Sequence, residues 1–171
     1  LPHPPQPQPQ MEPAERWEGV VHAKLPIATA DQAWSLLEDF CGIHKLLPGI
    51  ETCSRVEGED GLPGCTRHCA GAPIPSGGGH LVVPWAKEKL LSADPAGRSY
   101  SYEVTESNMG FRGYVATITA RPGPAGGGGC TLEWAFAADP VEGWTEDGLV
   151  SYLQTGLQGM AERIEEAVNS G

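Results

Sequence analysis

Apolar residues recur at every second position through most of this chain and at every third or fourth position near its end. Trp17-Glu-Gly-Val-Val-His-Ala-Lys-Leu25 alternates well enough for a first strand, which Pro26 ends. Thr29 with Gln32 three residues on forms a capping box, and Ala33, Leu36, Leu37 and Phe40 follow at helical spacing with Trp34 beside them. Gly42 is expected to break that helix, leaving Ile43 to Leu47 as a second short helix stopped by Pro48-Gly49. Six strand-like segments then succeed one another: Ile50–Gly58, Cys65–Gly71, Leu81–Ala93, Ser99–Glu106, Gly110–Ala120 and Cys130–Ala137. The separators are short and rich in Gly, Pro, Asp and Ser, which fits antiparallel hairpins better than parallel crossovers. Pro122 to Gly129 reads as a hairpin loop, since no Gly-Lys-Ser/Thr follows it to cradle phosphate.

The last element is a helix of about 25 residues, roughly 35 Å long at 1.5 Å per residue. Thr145 is its expected N-cap, and Glu146 and Asp147 suit its first turn. Leu149, Leu153, Leu157, Met160, Ile164 and Val168 form one apolar stripe; Glu162, Arg163, Glu165 and Glu166 mark its wet side. A stripe that long needs a concave sheet to cover. The order therefore predicts an α+β helix-grip fold: a curved seven-stranded antiparallel sheet around a long C-terminal helix, with two short helices after the first strand.

Composition narrows the partners. The chain has 171 residues, long enough for one domain with a single core. It carries 22 acidic against 11 basic residues, a net charge of -11 that repels phosphate backbones and anionic lipid. Neither nucleic acid nor a membrane is expected as a partner, and no stretch approaches the ~20 apolar residues of a membrane span. Five cysteines, an odd number, without a recognisable signal peptide suggest free thiols in a reducing compartment. The cytoplasm is the expected location, with the vacuole as the alternative. Residues 1–16 read as a Pro/Gln-rich disordered tail ahead of a ligand-binding domain at 17–171, with Met11 a candidate initiator. The pattern leaves the oligomeric state open.

Candidate chemistry converges on two strands. Alternation puts Arg67 on one face with Cys65 and Cys69, and Glu88 on one face with Ala86 and Leu90, leaving Lys87 and Lys89 to water. Tyr102 shares a face with Tyr100 and Val104, Tyr114 with Ala116 and Ile118, and Trp134 with Cys130, Leu132 and Phe136. The expected pocket is Arg67, Glu88, Tyr102, Tyr114 and Trp134, roofed by the long helix. A desolvated charge needs a partner, and Arg67 and Glu88 can serve each other. Glu88 is the candidate general base or proton shuttle, Arg67 the candidate holder of a polarised oxygen, and the tyrosines hydrogen-bond donors that orient it. The same pair also reads as a purely structural bridge at a cavity mouth. Metal ligation by Cys65, His68 and Cys69 is not expected, because two sulfurs four residues apart on a strand lie roughly 13 Å apart. Cys41, Cys53 and Cys130 read as small core residues, and His44 as a cap or surface group.

These stretches carry a resemblance. Val21-His-Ala23 with Leu25-Pro26, Gln32-Ala-Trp34, Val56-Glu-Gly-Glu59, Gly64-Cys65 with Arg67, Trp85-Ala-Lys-Glu-Lys-Leu90, Ser99-Tyr-Ser-Tyr102, Glu142-Gly143 with Thr145-Glu146, and Ile164-Glu-Glu166 resemble the plant START-like proteins. That superfamily includes the birch pollen allergen, polyketide cyclases and abscisic acid receptors; within it the likeness is greatest to the lachrymatory-factor synthases. The resemblance implies that Arg67 and Glu88 match a catalytic pair that rearranges an alkenyl sulfenic acid to a thial S-oxide without metal or organic cofactor. It equally implies a small hydrophobic or oxygen-bearing ligand, held by a carrier of plant metabolites or lipids. The hormone receptors' Ser-Gly-Leu-Pro-Ala gate and His-Arg-Leu latch are missing from the corresponding loops, which argues against hormone reception.

Overall fold

The computed structural model describes residues 16–124 and 128–170. The expected tail falls almost wholly outside them, as does the centre of the Pro122 to Gly129 loop. Arg16, its last residue, is tied down: Nη2 donates to the Gly113 carbonyl at 2.9 Å and Nη1 pairs with Asp139 at 3.1 Å.

The strands are β1 Trp17–Leu25, β2 Thr52–Glu57, β3 Thr66–Ala70, β4 Ile74–Pro75, β5 Leu81–Val82, β6 Trp85–Asp94, β7 Ser99–Ser107, β8 Val115–Pro122 and β9 Cys130–Ala138. The helices are α1 Ala30–Leu37 and α2 Glu146–Asn169. Seven strands form one antiparallel sheet in the order β1-β9-β8-β7-β6-β3-β2. The first strand closes against the last, from Trp17 opposite Ala138 to Leu25 opposite Cys130. The α+β helix-grip architecture read from the hydrophobic pattern is the one observed. Leu149, Leu153, Leu157, Met160 and Ile164 of α2 are all buried, meeting Leu132, Trp134 and Phe136 from β9 in one core. Among the described residues no helix is long and apolar enough to cross a membrane.

The caps form where the sequence places them. Thr29 accepts from the Gln32 amide at 3.1 Å while the Gln32 side chain accepts from the Thr29 amide at 3.0 Å. Thr145 accepts from the Gly148 amide at 2.9 Å. Glu165 is more than a wet-side residue: its two oxygens accept from the Ile27 and Ala28 amides, each at 2.8 Å, and tie α2 to the exit of β1.

Three segments depart from expectation. The second short helix forms as a 3₁₀ helix shifted toward the first, spanning Phe40–Lys45 with Gly42 inside it and ending before Leu47. Its bonds close over three residues, Gly42 N to Asp39 O at 2.9 Å and Leu46 N to Ile43 O at 3.0 Å, and Gly42 leaves the space into which the Asp39 carboxylate folds. The expected strand from Leu81 is interrupted at Pro84, which has no amide to donate to a ladder. Leu81–Val82 instead pairs with Ile74–Pro75 in a small separate hairpin, and β6 begins at Trp85. The strand expected from Gly110 begins at Val115, because Gly110 and Gly113 take φ of +82° and +60° in a turn.

Candidate functional site

Arg67 is built into β3, the strand next to the β2 edge of the sheet, between β2 and β6 and directly opposite Glu88. Its Nε donates to Glu88 Oε1 at 2.8 Å and its Nη1 to the Phe40 carbonyl at 2.7 Å. The guanidinium carbon lies 3.9 Å from the centre of the Phe40 ring and 5.1 Å from that of Tyr102. A buried cation is tolerable here because its fork is met by a carboxylate and a carbonyl and its flat face by rings. Burial alone would lower the Arg67 pKa, but the Glu88 charge and the surrounding Tyr100, Cys69 and Tyr102 hold it well above the ordinary range. The side chain is 3% exposed; that of Glu88 is 14% exposed, so the carboxylate is the wetter partner.

Glu88 sits at a register shift between β6 and β7, with Lys87 opposite Glu106 and Glu88 opposite Val104. Bulges of this kind re-aim a side chain. Among the described residues its Oε1 carries the bonds, from Arg67 and more weakly from the Cys69 thiol at 3.8 Å, and Oε2 carries none. Lys87 points outward, to within 3.6 Å of Glu106, and Lys89 is exposed.

A cavity of about 730 Å³ lies between the sheet and α2. Arg67, Glu88, Tyr102, Tyr114 and Trp134, the five residues singled out by alternation, all line it. The Tyr102 and Tyr114 hydroxyls stand 3.4 Å apart, and both side chains are buried. Burial pushes both phenols up, so they remain hydrogen-bond donors. Trp134 Nε1 is buried without a hydrogen-bond partner among the described residues. A buried donor left open in the cavity wall is available to an acceptor on a ligand.

Sequence reasoning did not nominate Tyr100, Phe40 or Cys69. Tyr100 lines the cavity and its phenol is raised by burial; its signal was present, since it shares strand parity with Tyr102. The Phe40 carbonyl has no signature in the side-chain pattern. Cys69 and Cys65 flank Arg67 on its own face, and each meets a thiol from another segment. Cys53 Sγ lies 3.3 Å from Cys69 Sγ, and Cys41 Sγ lies 3.6 Å from Cys65 Sγ. In the first pair the hydrogen bond from Cys69 lowers Cys53, while Cys69 itself is raised by that contact and by burial. Cys41 and Cys53 are only half-buried, at the rim of the core and not within it, because they sit beside the sheet edge at β2; Cys130 is buried. His68 turns to the opposite face and stacks on Trp85, ring centres 5.4 Å apart.

A sheet wrapped around a helix with an internal, mostly apolar cavity between them defines a helix-grip fold. The chain belongs to the polyketide cyclase / dehydrase and lipid transport family, whose model matches residues 17–169. Solved structures share the fold. XoxI from Bacillus cereus is 20% identical, with a TM-score of 0.68, the match covering 88% of this chain and 94% of that one. An uncharacterised protein from Bacillus thuringiensis is 21% identical at TM-score 0.68, covering 86% and 98%. Ara h 8.0201 is 17% identical at TM-score 0.66, covering 92% and 100%. At these identities the likeness speaks for architecture alone.

Proposed function

We propose that this protein is a cofactor-independent lyase or isomerase that relocates a proton on an oxygen-bearing substrate, in the manner of the lachrymatory-factor synthases. The observation that carries this reading is the division of labour within Glu88. One oxygen is held by Arg67, which fixes the carboxylate, and the other is open. A fixed carboxylate with a free oxygen can take a proton from a substrate and return it elsewhere. The guanidinium, the paired phenols and the Trp134 indole supply donors to a substrate oxygen as charge develops on it. An alkenyl sulfenic acid is the substrate to try first.

Cavity volume favours a second reading. About 730 Å³ falls within the 300–1,000 Å³ that holds drug-sized molecules, far more than a short sulfenic acid fills. On this reading the protein carries a larger apolar metabolite or lipid, and Arg67, Tyr102, Tyr114 and Trp134 orient its oxygen.

The test generates the alkenyl sulfenic acid in situ with an alliinase and measures the thial S-oxide. Wild type is expected to exceed buffer, and Glu88→Gln and Arg67→Leu to lose about 10²-fold or more. A wild type equal to buffer sinks the synthase reading. Native mass spectrometry after incubation in a metabolite extract tests the carrier reading, which fails if the protein emerges unloaded.

A further inference from the structure

The Cys41–Cys65 pair has a neighbour that the Cys53–Cys69 pair lacks. Asp60, on the β2–β3 loop, brings a carboxylate oxygen to the two sulfurs, and all three atoms lie within 4.8 Å of one another. We propose that Cys41, Asp60 and Cys65 form a binding site for a thiophilic closed-shell cation, zinc above all, with the fourth position left to water or an outside ligand. This goes beyond the cavity chemistry and does not depend on it.

The geometry argues for a cation. Two thiolates on a tetrahedral zinc, each about 2.3 Å from it, stand about 3.8 Å apart. The observed Sγ–Sγ distance is 3.6 Å, close to that edge and far from the ~2.05 Å of a disulfide. The three ligands come from three segments: the 3₁₀ helix, the loop and the entry to β3. Cys65 is fully buried, Cys41 half-buried and Asp60 exposed, so the site has a thiol floor and one open side. The loop is built to return over Cys65. Gly58 has φ +78°, and a Cβ there would lie 2.7 Å from the Gly64 carbonyl and 2.9 Å from Cys65 Cα. Two successive turns, Leu62 N to Glu59 O at 3.2 Å and Cys65 N to Leu62 O at 2.9 Å, hold Asp60 on that side. By contrast, the carboxylate nearest Cys69 is that of Glu88, already committed to Arg67.

Occupancy would also reach the cavity. Cys41 follows Phe40, whose carbonyl and ring hold Arg67, and Cys65 lies two residues before Arg67. A cation across Cys41 and Cys65 clamps the 3₁₀ helix to β3 at the point where Arg67 is positioned.

The test titrates the reduced full chain anaerobically with cobalt(II), reading the sulfur-to-cobalt charge-transfer band, and then displaces cobalt with zinc. One equivalent is expected to bind in wild type and in Cys53→Ser, with the band lost in Cys41→Ser. Asp60→Asn, on an exposed loop and safe for folding, is expected to weaken binding by about tenfold or more. Zinc should raise the melting temperature of wild type and Cys53→Ser but not of Cys41→Ser. The proposal is overturned by no charge-transfer band in wild type, by a band that survives Cys41→Ser, or by Asp60→Asn binding as tightly as wild type.

Discussion

Replacing Glu88 by Leu strands a buried guanidinium, and the size of the penalty follows from the site. Two unit charges about 4 Å apart at an effective dielectric near 20 attract by about 4 kcal/mol. The ion pair is 2.8 Å between Nε and Oε1, with Arg67 3% and Glu88 14% exposed, so modest hydration of the carboxylate reduces this to about 3 kcal/mol. Losing one partner of a buried pair typically costs about 3–5 kcal/mol, which brackets that figure. Glu88→Gln should cost less, because the amide oxygen still accepts from Nε. Arg67→Met should cost a similar amount for a different reason, since it leaves the Phe40 carbonyl without its 2.7 Å donor. The double variant should recover part of the summed loss, giving a coupling energy of about 2–4 kcal/mol. Urea unfolding of wild type, both single variants and the double variant measures it, through midpoints at constant slope. A coupling below about 1 kcal/mol, the value of a surface pair, would refute the claim that this pair acts as a buried one.

Other outcomes follow from single contacts. Glu165→Ala removes charged acceptors from the Ile27 and Ala28 amides and should cost about 1.5–3 kcal/mol, seen as a melting point lower by several degrees; an unchanged melting point would mean that water replaces the carboxylate. Tyr100, Tyr102 and Tyr114 are all raised by burial, so above pH ~10 the unfolded chain loses phenolic protons that the folded chain keeps. Stability is then intact below that pH and falls as pH rises, by up to about 1.4 kcal/mol per unit for each tyrosine. Tyr152 is exposed and can ionise in the folded protein, but the absorbance of the other three tyrosinates, tracked beside circular dichroism, should appear together with unfolding; more than one tyrosinate per chain forming at its ordinary pH in a still-folded protein would contradict the burial.

Alternation made the wall of the cavity legible. Period 2 decides which side of β3 and β6 faces in, and the lysines at 87 and 89 allow only one choice, so Arg67 and Glu88 point as expected. The 3.6-residue stripe from Leu149 to Ile164 likewise announces a helix that needs a concave sheet, and that requirement carries the fold. What stayed hidden is what depends on partners distant in sequence or on backbone atoms. The bulge at Glu88 arises from how β6 pairs with β7. The Phe40 carbonyl that anchors Arg67 leaves no mark among side chains. The approach of Cys41 to Cys65 depends on a 3₁₀ helix in which Gly42 is a member and not a breaker, a choice set by the Asp39 side chain folding over it. Pro84 was visible, but only the pairing of Ile74 with Val82 shows that it splits the chain into two separate ladders.

The pairing of the first strand with the last has a consequence for how the molecule comes into being. Trp17 must wait for Ala138 before its backbone groups find partners, and Ile27 must wait for Glu165. A chain emerging from the ribosome can assemble the meander from β6 to β9 from neighbouring hairpins, yet β1 stays an unpaired strand with one apolar face until β9 has emerged. Long-range closure of this kind slows folding and prolongs exposure of strand edges. Moving the chain ends to the hairpin turn at Gly77 to Gly79, with a short linker joining residue 170 to β1, would bring β1 directly after α2 and leave the β3–β6 pairing as the long-range one; because β1 and β9 match over nine residue pairs and β3 and β6 over five, refolding of the permuted protein should be faster than that of the original.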